Sequence, residues 1–432
     1  MYLDRIRLTN LRGFGELDFS FDRGDGVYAG WTVITGDNGS GKSTLLKAMA
    51  LALVGPDASR ALQPSFQRWI REGSPAASIE ISVAFDPHED GFVDSGKTPG
   101  RGPFRARLEL TGPEKEPTLS AAVPAGGGSQ RTPQRSIWSY AAKGWFSCGY
   151  GPFRRVFGAS PDATRLMVAP ATERFVTMFN EAASLAEVNQ WLLTLNHRQL
   201  DGKAGDERQL KAVLALLRDD LLPNQITVDN VDSDGLWLRD RNGVRLAWSE
   251  MSDGYRAALA LMCDIVRGMS NVYGPEELFG KDFSHERPVV TKSGVVLIDE
   301  VDAHLHPEWQ REIGFWLKRH FPRVQFIVTS HSPLVCQAAD RNGLFVLPEP
   351  GSADRPRPLD ETERQRIIAS RPNAILLSPA FGLDNTRSPE AVDARAAYSR
   401  LKSRQRAGAK LTVDEAVKLS QLQLFVDNDE DD

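Results

Sequence analysis

An α/β fold, with a parallel sheet and helices between its strands, is what the sequence predicts, and three segments carry the prediction. Trp31–Thr35 is a short apolar strand, followed by the glycine-rich stretch ITGDNGSGKSTL and an Ala/Leu-rich helix over Ser43–Leu53. Val295–Ile298 is an aliphatic, β-branched run of the kind buried on both faces in a central parallel strand, and it ends in Asp299–Glu300. Phe326–Ser332, FIVTSHS, is a further apolar strand with His331 at its tip, one helical pattern (Glu308–His320) after the acidic pair.

From the N-terminus, Tyr2–Thr9 and Glu16–Phe21 are patterned as strands, so no signal peptide is expected. The next element is the most specific. Gly36–Ser43 fits Gly-x-x-x-x-Gly-Lys-Ser at every defined position. Backbone N–H groups of such a loop, at a helix N-terminus, point inward at an anion. Gly36 and Gly41 permit the tight path, Lys42 supplies a cation for the β/γ-phosphates and Ser43 a hydroxyl for Mg²⁺. The strand–loop–helix context argues against a bare turn, so a nucleotide is expected.

Ile79–Phe85 and Phe104–Leu110 read as strands, separated by Gly/Pro-rich loops at Asp94–Pro103 and Pro124–Pro133. Phe175–Leu195 and Arg208–Leu222 carry helical periodicity, with too few apolar positions for a long heptad rod. Ile226–Asn230, Gly235–Asp240 and Val244–Trp248 read as hairpin strands with Asn242–Gly243 as a turn. Trp248–Arg256, WSEMSDGYR, then places Ser252–Asp253–Gly254 before a helix over Tyr255–Val266. That makes a second anion-binding helix start without a lysine. Since one nucleotide already has its own loop, the second site suggests a subunit that completes its neighbour's.

A paired acid at a strand tip can cap the following helix, but a phosphate loop upstream needs a metal partner. Asp299 is therefore expected to hold Mg²⁺ across from Ser43, and Glu300 to polarise an attacking water. His331 is placed to contact a γ-phosphate. His304 and His306 lie where Pro307 opens a helix, so a loop-to-helix turn is expected there and no dedicated transition-metal site.

The order of these four motifs resembles the ATP-binding-cassette (ABC) ATPases, in their RecF/SMC/OLD-like branch. The resemblance covers roughly residues 1–55 and 245–345, and more loosely 60–160. It implies an ABC-ATPase head: a P-loop core sheet flanked by helices, an antiparallel β subdomain, a helical lid and a C-terminal helical extension. In that class Gly36, Asp37, Asn38, Gly39, Ser40, Gly41, Lys42, Ser43 and Thr44 are Walker A, Ser252, Asp253 and Gly254 the signature, and Val295–Glu300 Walker B. Asp302 matches the D-loop residue, His331 the switch histidine, and Arg12 a basic residue near the nucleotide. Glu300, His331 and Lys42 are thus the expected catalytic residues, Ser43 and Asp299 the metal ligands, and ATP with Mg²⁺ the cofactors.

Two departures stand out. The signature reads Met251–Ser252–Asp253–Gly254 rather than Leu-Ser-Gly-Gly, and no glutamine sits in a Q-loop context, Gln63 and Gln67 reading as surface residues. Trp145–Arg155, WFSCGYGPFRR, holds Tyr and Gly in that place, so Tyr150 or Arg154 is expected to couple the γ-phosphate to the rest of the chain. A similar GYG-x-x-R segment occurs in OLD-like ATPases of bacterial defence systems.

At 432 residues the chain has room for two or three domains. The division expected is 1–165 and 246–345 as the two parts of the head, 166–245 as lid and hairpin, 346–426 as helical extension and 427–432 as an acidic disordered tail. A net charge of −5 and 25% charged residues give no basic whole-protein field, although Arg131–Arg155 and Arg395–Lys410 are locally basic. Three cysteines without metal spacing, and no apolar run near about 20 residues, fit a cytoplasmic chain with no membrane span. Thr412 and Glu415 form a capping box for the last helix.

ILLSPAFGLDNTRS (Ile375–Ser388) and the helices after it, Pro389–Ala407 and Thr412–Phe425, are similar to ATPase subunits of Septu-type and retron-associated anti-phage systems. That likeness implies an ATPase that regulates or scaffolds a separate effector read as a nuclease, and the second helix start adds dimerisation around ATP, as a homodimer or an oligomer of dimers. No nuclease cluster is legible in the chain itself. A RecF-like ATPase that clamps DNA directly, or an ATP-glued scaffold with little turnover, are the competing readings, so nucleic acid stays open as a partner.

Overall fold

A computed structural model describes residues 1–93, 102–113, 115–156, 170–201, 204–280, 288–352 and 354–423. Most of the loop expected at 94–103, the 165/166 boundary and the tail at 427–432 lie outside the described residues. Residues 1–371 form one compact unit and 372–432 another. No helix among the described residues is long and apolar enough to cross a membrane.

The first unit holds two large sheets. One is antiparallel, in the order β2 (Phe14–Ser20), β1 (Tyr2–Leu11), β4 (Ala76–Ala84), β5 (Phe104–Thr111), β6 (Thr118–Ala122). The other runs β14 (Arg357–Pro358), β13 (Leu344–Leu347), β3 (Gly30–Gly36), β12 (Val324–Thr329), β11 (Gly294–Ile298), β7 (Ser147–Tyr150), parallel throughout except at β14. All residues of β11 and β12 are buried, which is why those segments read as unbroken apolar runs rather than alternating ones.

Helix α1 (Lys42–Leu62) touches both sheets. Leu45, Leu46 and every residue from Ala48 to Val54 are buried; a helix apolar on all sides belongs inside a core. It runs nine residues past the expected end at Leu53, across a kink at Gly55 (φ 83°). A Cβ there would come within 2.6 Å of the Trp138 ring, so glycine bends the helix where the indole presses on it. The sheets are also tied by Gln325 of β12, whose amide accepts from Leu3 N (2.7 Å) and donates to Leu3 O (2.8 Å).

Helices α2 (Glu187–Leu200) and α3 (Ala204–Arg218) form a hairpin against α4 (Asp253–Tyr273) and a ribbon of β8 (Thr227–Asp232), β9 (Gly235–Arg239) and β10 (Arg245–Ala247). The continuous helix expected over 175–195 is broken. One turn, Val176–Phe179, precedes α2, and Ser184 forms a parallel bridge with Arg155 instead. Asn180 causes the break: its side chain accepts from Ala182 N (2.9 Å), offering the backbone a local alternative to helix. Helix α5 (Pro307–His320) follows β11 and buries Trp309, Ile313, Trp316 and Leu317. Helix α6 (Glu361–Ala369) closes this unit.

In the second unit α7 (Pro389–Arg406) has no buried residue, and Arg404 pairs with Glu415 (2.6 Å) on α8 (Val413–Gln423). The capping box is formed: Glu415 N donates to Thr412 Oγ1 (3.2 Å) and Thr412 N to Glu415 Oε2 (2.9 Å).

Candidate functional site

Strands β3, β12 and β11 are adjacent and in step: Ile34 lies opposite Thr329, and Val328 opposite Ile298. The glycine-rich loop, His331 and Asp299–Glu300 therefore emerge at one edge, the carboxyl end of a parallel sheet, where α/β folds bind ligands.

The loop's glycines are required by geometry at two places. Gly36 has φ 144°, and a Cβ would lie 2.4 Å from Leu347 O. Gly41 caps α1 in a left-handed conformation (φ 98°), with the Phe14 ring 2.6 Å from where a Cβ would stand. Asp37, Asn38 and Gly39 are exposed around the cradle, and the buried Ser40 Oγ has no hydrogen-bond partner. Lys42, only 6% exposed, donates to Gly36 O (2.7 Å) and Asp37 O (2.9 Å). Burial lowers the pKa of its ammonium, against the opposing pull of Asp299, Glu300, Asp37 and Asp302. A phosphate in the cradle would offer that cation a full negative charge in place of two carbonyl dipoles. Arg12 stands beside the loop: it donates to Thr44 Oγ1 (3.2 Å) and stacks 4.3 Å over the Trp69 ring.

Asp299 is 2% exposed and accepts from Thr329 Oγ1 at 2.6 Å. The same hydroxyl oxygen accepts from Glu300 N at 2.7 Å, so one threonine at the end of β12 orients both acids. Glu300 itself is left-handed (φ 47°), uncommon for a residue with a side chain. Asp299 and Ser43 present oxygen donors only, the hard set that suits Mg²⁺ rather than a softer metal. The second carboxylate oxygen of Asp299 and the Ser43 hydroxyl would hold that ion. The Asp302 Oδ1 atom is buried without a hydrogen-bond partner in the following turn.

Tyr150 ends β7 and Arg154 follows it. The Tyr150 hydroxyl donates to Asp264 of α4 (2.8 Å) in a fully buried site, a packing role rather than a γ-phosphate contact. Arg154 is also buried, with its guanidinium against the backbone of residues 299–303. Burial pulls its pKa down to about 10, with Asp302, Asp299 and Glu300 acting against that fall. Arg131–Arg155 is thus not a continuous basic surface.

His331 is exposed beyond β12. Next to it, Ser332 Oγ donates to Gln310 Oε1 (2.7 Å), and Gln310 Nε2 donates to Leu305 O (2.9 Å), linking the His331 turn to the Asp302 turn. His306 caps α5 through Nδ1, accepting from Glu308 N.

Ser252 caps α4, and Ser252 and Asp253 are exposed. Asp253 pairs with Arg256. Gly254 lies against the turn that follows β11, with a hypothetical Cβ only 2.3 Å from His304 O. Among the described residues no hydrogen bond or ion pair joins Ser252–Gly254 to residues 36–44. The structure thus gathers Lys42, Ser43, Asp299, Glu300 and His331 at one edge and leaves the Ser252 helix start facing outward. Sequence reasoning missed Thr329 and Gln310. The one available signal for Thr329 was a hydroxyl residue ending an otherwise apolar strand.

Two family models match the chain: "AAA domain, putative AbiEii toxin, Type IV TA system" over residues 140–337 and "AAA domain" over residues 5–98. Among curated proteins, a Septu protein PtuA of Bacillus mycoides (strain KBAB4) is 25% identical over 397 residues, 89% of this chain and 45% of that protein. The "Retron Ec83 probable ATPase" of Escherichia coli is 39% identical over 108 residues, 25% of this chain and 18% of its own. The chain thus spans about half the length of the first of these relatives and less of the second. A solved SMC head bound to the C-winged helix domain of ScpA aligns over 84% of this chain and 99% of its own, at 16% identity and a TM-score of 0.48.

Proposed function

Since its relatives support an ABC-type ATPase of the RecF/SMC/OLD-like branch, we propose that this chain binds and hydrolyses ATP, closes as a dimer around it and thereby regulates a separate effector, a nuclease, in anti-phage defence. The observation that carries the reading is the convergence of Lys42, Asp299 and Glu300 at the carboxyl edge of β3 and β11, the two acids tied through Thr329. The similarity to Septu and retron ATPases supports the defence role.

In this reading the amides of residues 37–42 and the Lys42 ammonium bind the β- and γ-phosphates. Ser43 and Asp299 would hold Mg²⁺, which would supply neutralisation of phosphate charge when bound. Glu300 accepts a hydrogen bond from the attacking water and takes its proton, while His331 contacts the γ-phosphate. The exposed Ser252–Gly254 helix start of a second copy closes over the same phosphate. ATP binds the closed pair better than the open chain, and that difference in affinity drives closure.

Glu300→Gln keeps the hydrogen-bonding shape and removes the base, so it traps the closed pair. Light scattering with ATP and Mg²⁺ is expected to show dimer for Glu300→Gln, less for wild type and none for Lys42→Ala, which loses ATP binding. No gain of dimer for Glu300→Gln, or tight ATP binding by Lys42→Ala, refutes the reading. Co-purification from the native host followed by a nuclease assay tests the effector.

A further inference from the structure

Arg154 lies outside the glycine-rich loop, and its guanidinium is committed to the loop that carries both acids. The chain leaves β7 and turns back, and Nη1 donates to Asp299 O (3.0 Å) and Gly151 O (3.3 Å). Nη2 donates to Glu300 O (3.1 Å) and Ala303 O (3.1 Å). The residue is 4% exposed, and among the described residues no carboxylate lies within ion-pair distance of it. A buried guanidinium is costly to desolvate, and here carbonyl oxygens of the 299–303 turn, with that of Gly151, satisfy it.

Those carbonyls converge because Glu300 is left-handed (φ 47°) and reverses the chain just after Asp299. The turn is gripped elsewhere as well. Thr329 holds Glu300 N from the β12 side. His304, again left-handed (φ 67°), presses its carbonyl on Gly254 at the start of α4. Arg154 fills the remaining side. Its planar fork of donors reaches several acceptors at once, which a lysine ammonium on a flexible stem does not reproduce.

We infer that Arg154 is a positioning residue: it holds the Asp299–Ala303 turn in the single conformation that aims Glu300 at the attacking water and presents Asp302 to the facing subunit. The inference rests on the ATPase reading for its kinetic arm but not for its structural arm.

The test compares Arg154→Lys with wild type and with Arg155→Lys, an exposed neighbour, by steady-state ATPase kinetics and by amide exchange of peptides spanning 299–305. For Arg154→Lys, kcat is expected to fall at least ten-fold while KM for ATP stays within three-fold. Exchange in 299–305 rises at least ten-fold, exchange in α1 is unchanged, and Arg155→Lys matches wild type in both readouts. A merely structural residue would lower stability without splitting kcat from KM. Wild-type kcat with unchanged 299–305 exchange in a folded Arg154→Lys protein overturns the inference. If wild type shows no turnover above the Glu300→Gln background, the ATPase reading fails and the exchange arm alone decides: faster exchange in 299–305 supports positioning, unchanged exchange overturns it. Should Arg154→Lys not fold, Arg154→Gln is measured identically. If neither folds, Arg154 belongs to fold stability and the inference is overturned.

Discussion

Thr329→Val removes one oxygen and keeps the side-chain shape, which makes it the sharpest single test of how the two acids are held. The hydroxyl donates to Asp299 Oδ1 at 2.6 Å and accepts from Glu300 N at 2.7 Å, at a residue with no exposed surface. Valine leaves a buried carboxylate oxygen without its donor, a loss of about 1.5–3 kcal/mol for a hydrogen bond to a charged group. It also strips the acceptor from a half-buried amide, costing roughly 1 kcal/mol more. The extra methyl returns about 0.8 kcal/mol, so the net loss is about 2–3 kcal/mol. Thr329→Ser keeps both hydrogen bonds and loses a methyl, about 1 kcal/mol. The hydrogen-bond account therefore ranks wild type above Ser above Val, whereas an apolar-strand account ranks Val at or above wild type. Urea unfolding of the full chain without nucleotide, followed by tryptophan fluorescence, separates the two. A valine variant as stable as wild type, or more stable than the serine variant, refutes the reasoning.

Gly41→Ala forces a side chain into φ 98° with its Cβ 2.6 Å from the Phe14 ring. A loss of about 2 kcal/mol or more is expected, together with lost ATP affinity in a calorimetric titration; an unchanged melting temperature contradicts it. Gly254→Ala would ordinarily favour a helix by about 1 kcal/mol, but its Cβ would meet His304 O at 2.3 Å. The variant should therefore be less stable and slower in turnover with ATP affinity kept, and a stabilised protein refutes that. At α6, hydrogen bonds from Arg357 and Arg364 hold the Glu363 and Glu361 carboxyls to about 2. With folded pKa values below the usual 4.5, their contribution is full above that pH and disappears as pH falls towards about 2. Proteolysis within 357–369 should accelerate over that window, and less so in Arg357→Gln. The exposure of both groups keeps the effect small.

Much of this was legible along the chain because the information is local. A phosphate loop needs glycine, lysine and serine at fixed offsets, and central parallel strands need unbroken apolar runs, so β3, α1, β11 and β12 could be placed from composition and spacing. Helix starts at Ser252, Pro307 and Thr412 were readable for the same reason, since caps act within one turn. What failed was local competition and long-range contact. Asn180 breaks a segment of helical periodicity, and at Gly55, against the Trp138 ring, the chain kinks before a further helical piece runs to Leu62.

The amino-acid sequence by itself located the glycine-rich loop at 36–44 and the acidic strand end at 299–300, because each is set by residues within a few positions of one another. Tertiary structure alone decided how Asp299 and Glu300 are aimed. Thr329 reaches them from the neighbouring strand, Arg154 from the sheet edge, and Gly254 abuts the turn that follows. These partners lie far apart in sequence and meet because parallel strands bring their carboxyl ends together, a coincidence in space that no spacing rule along the chain encodes.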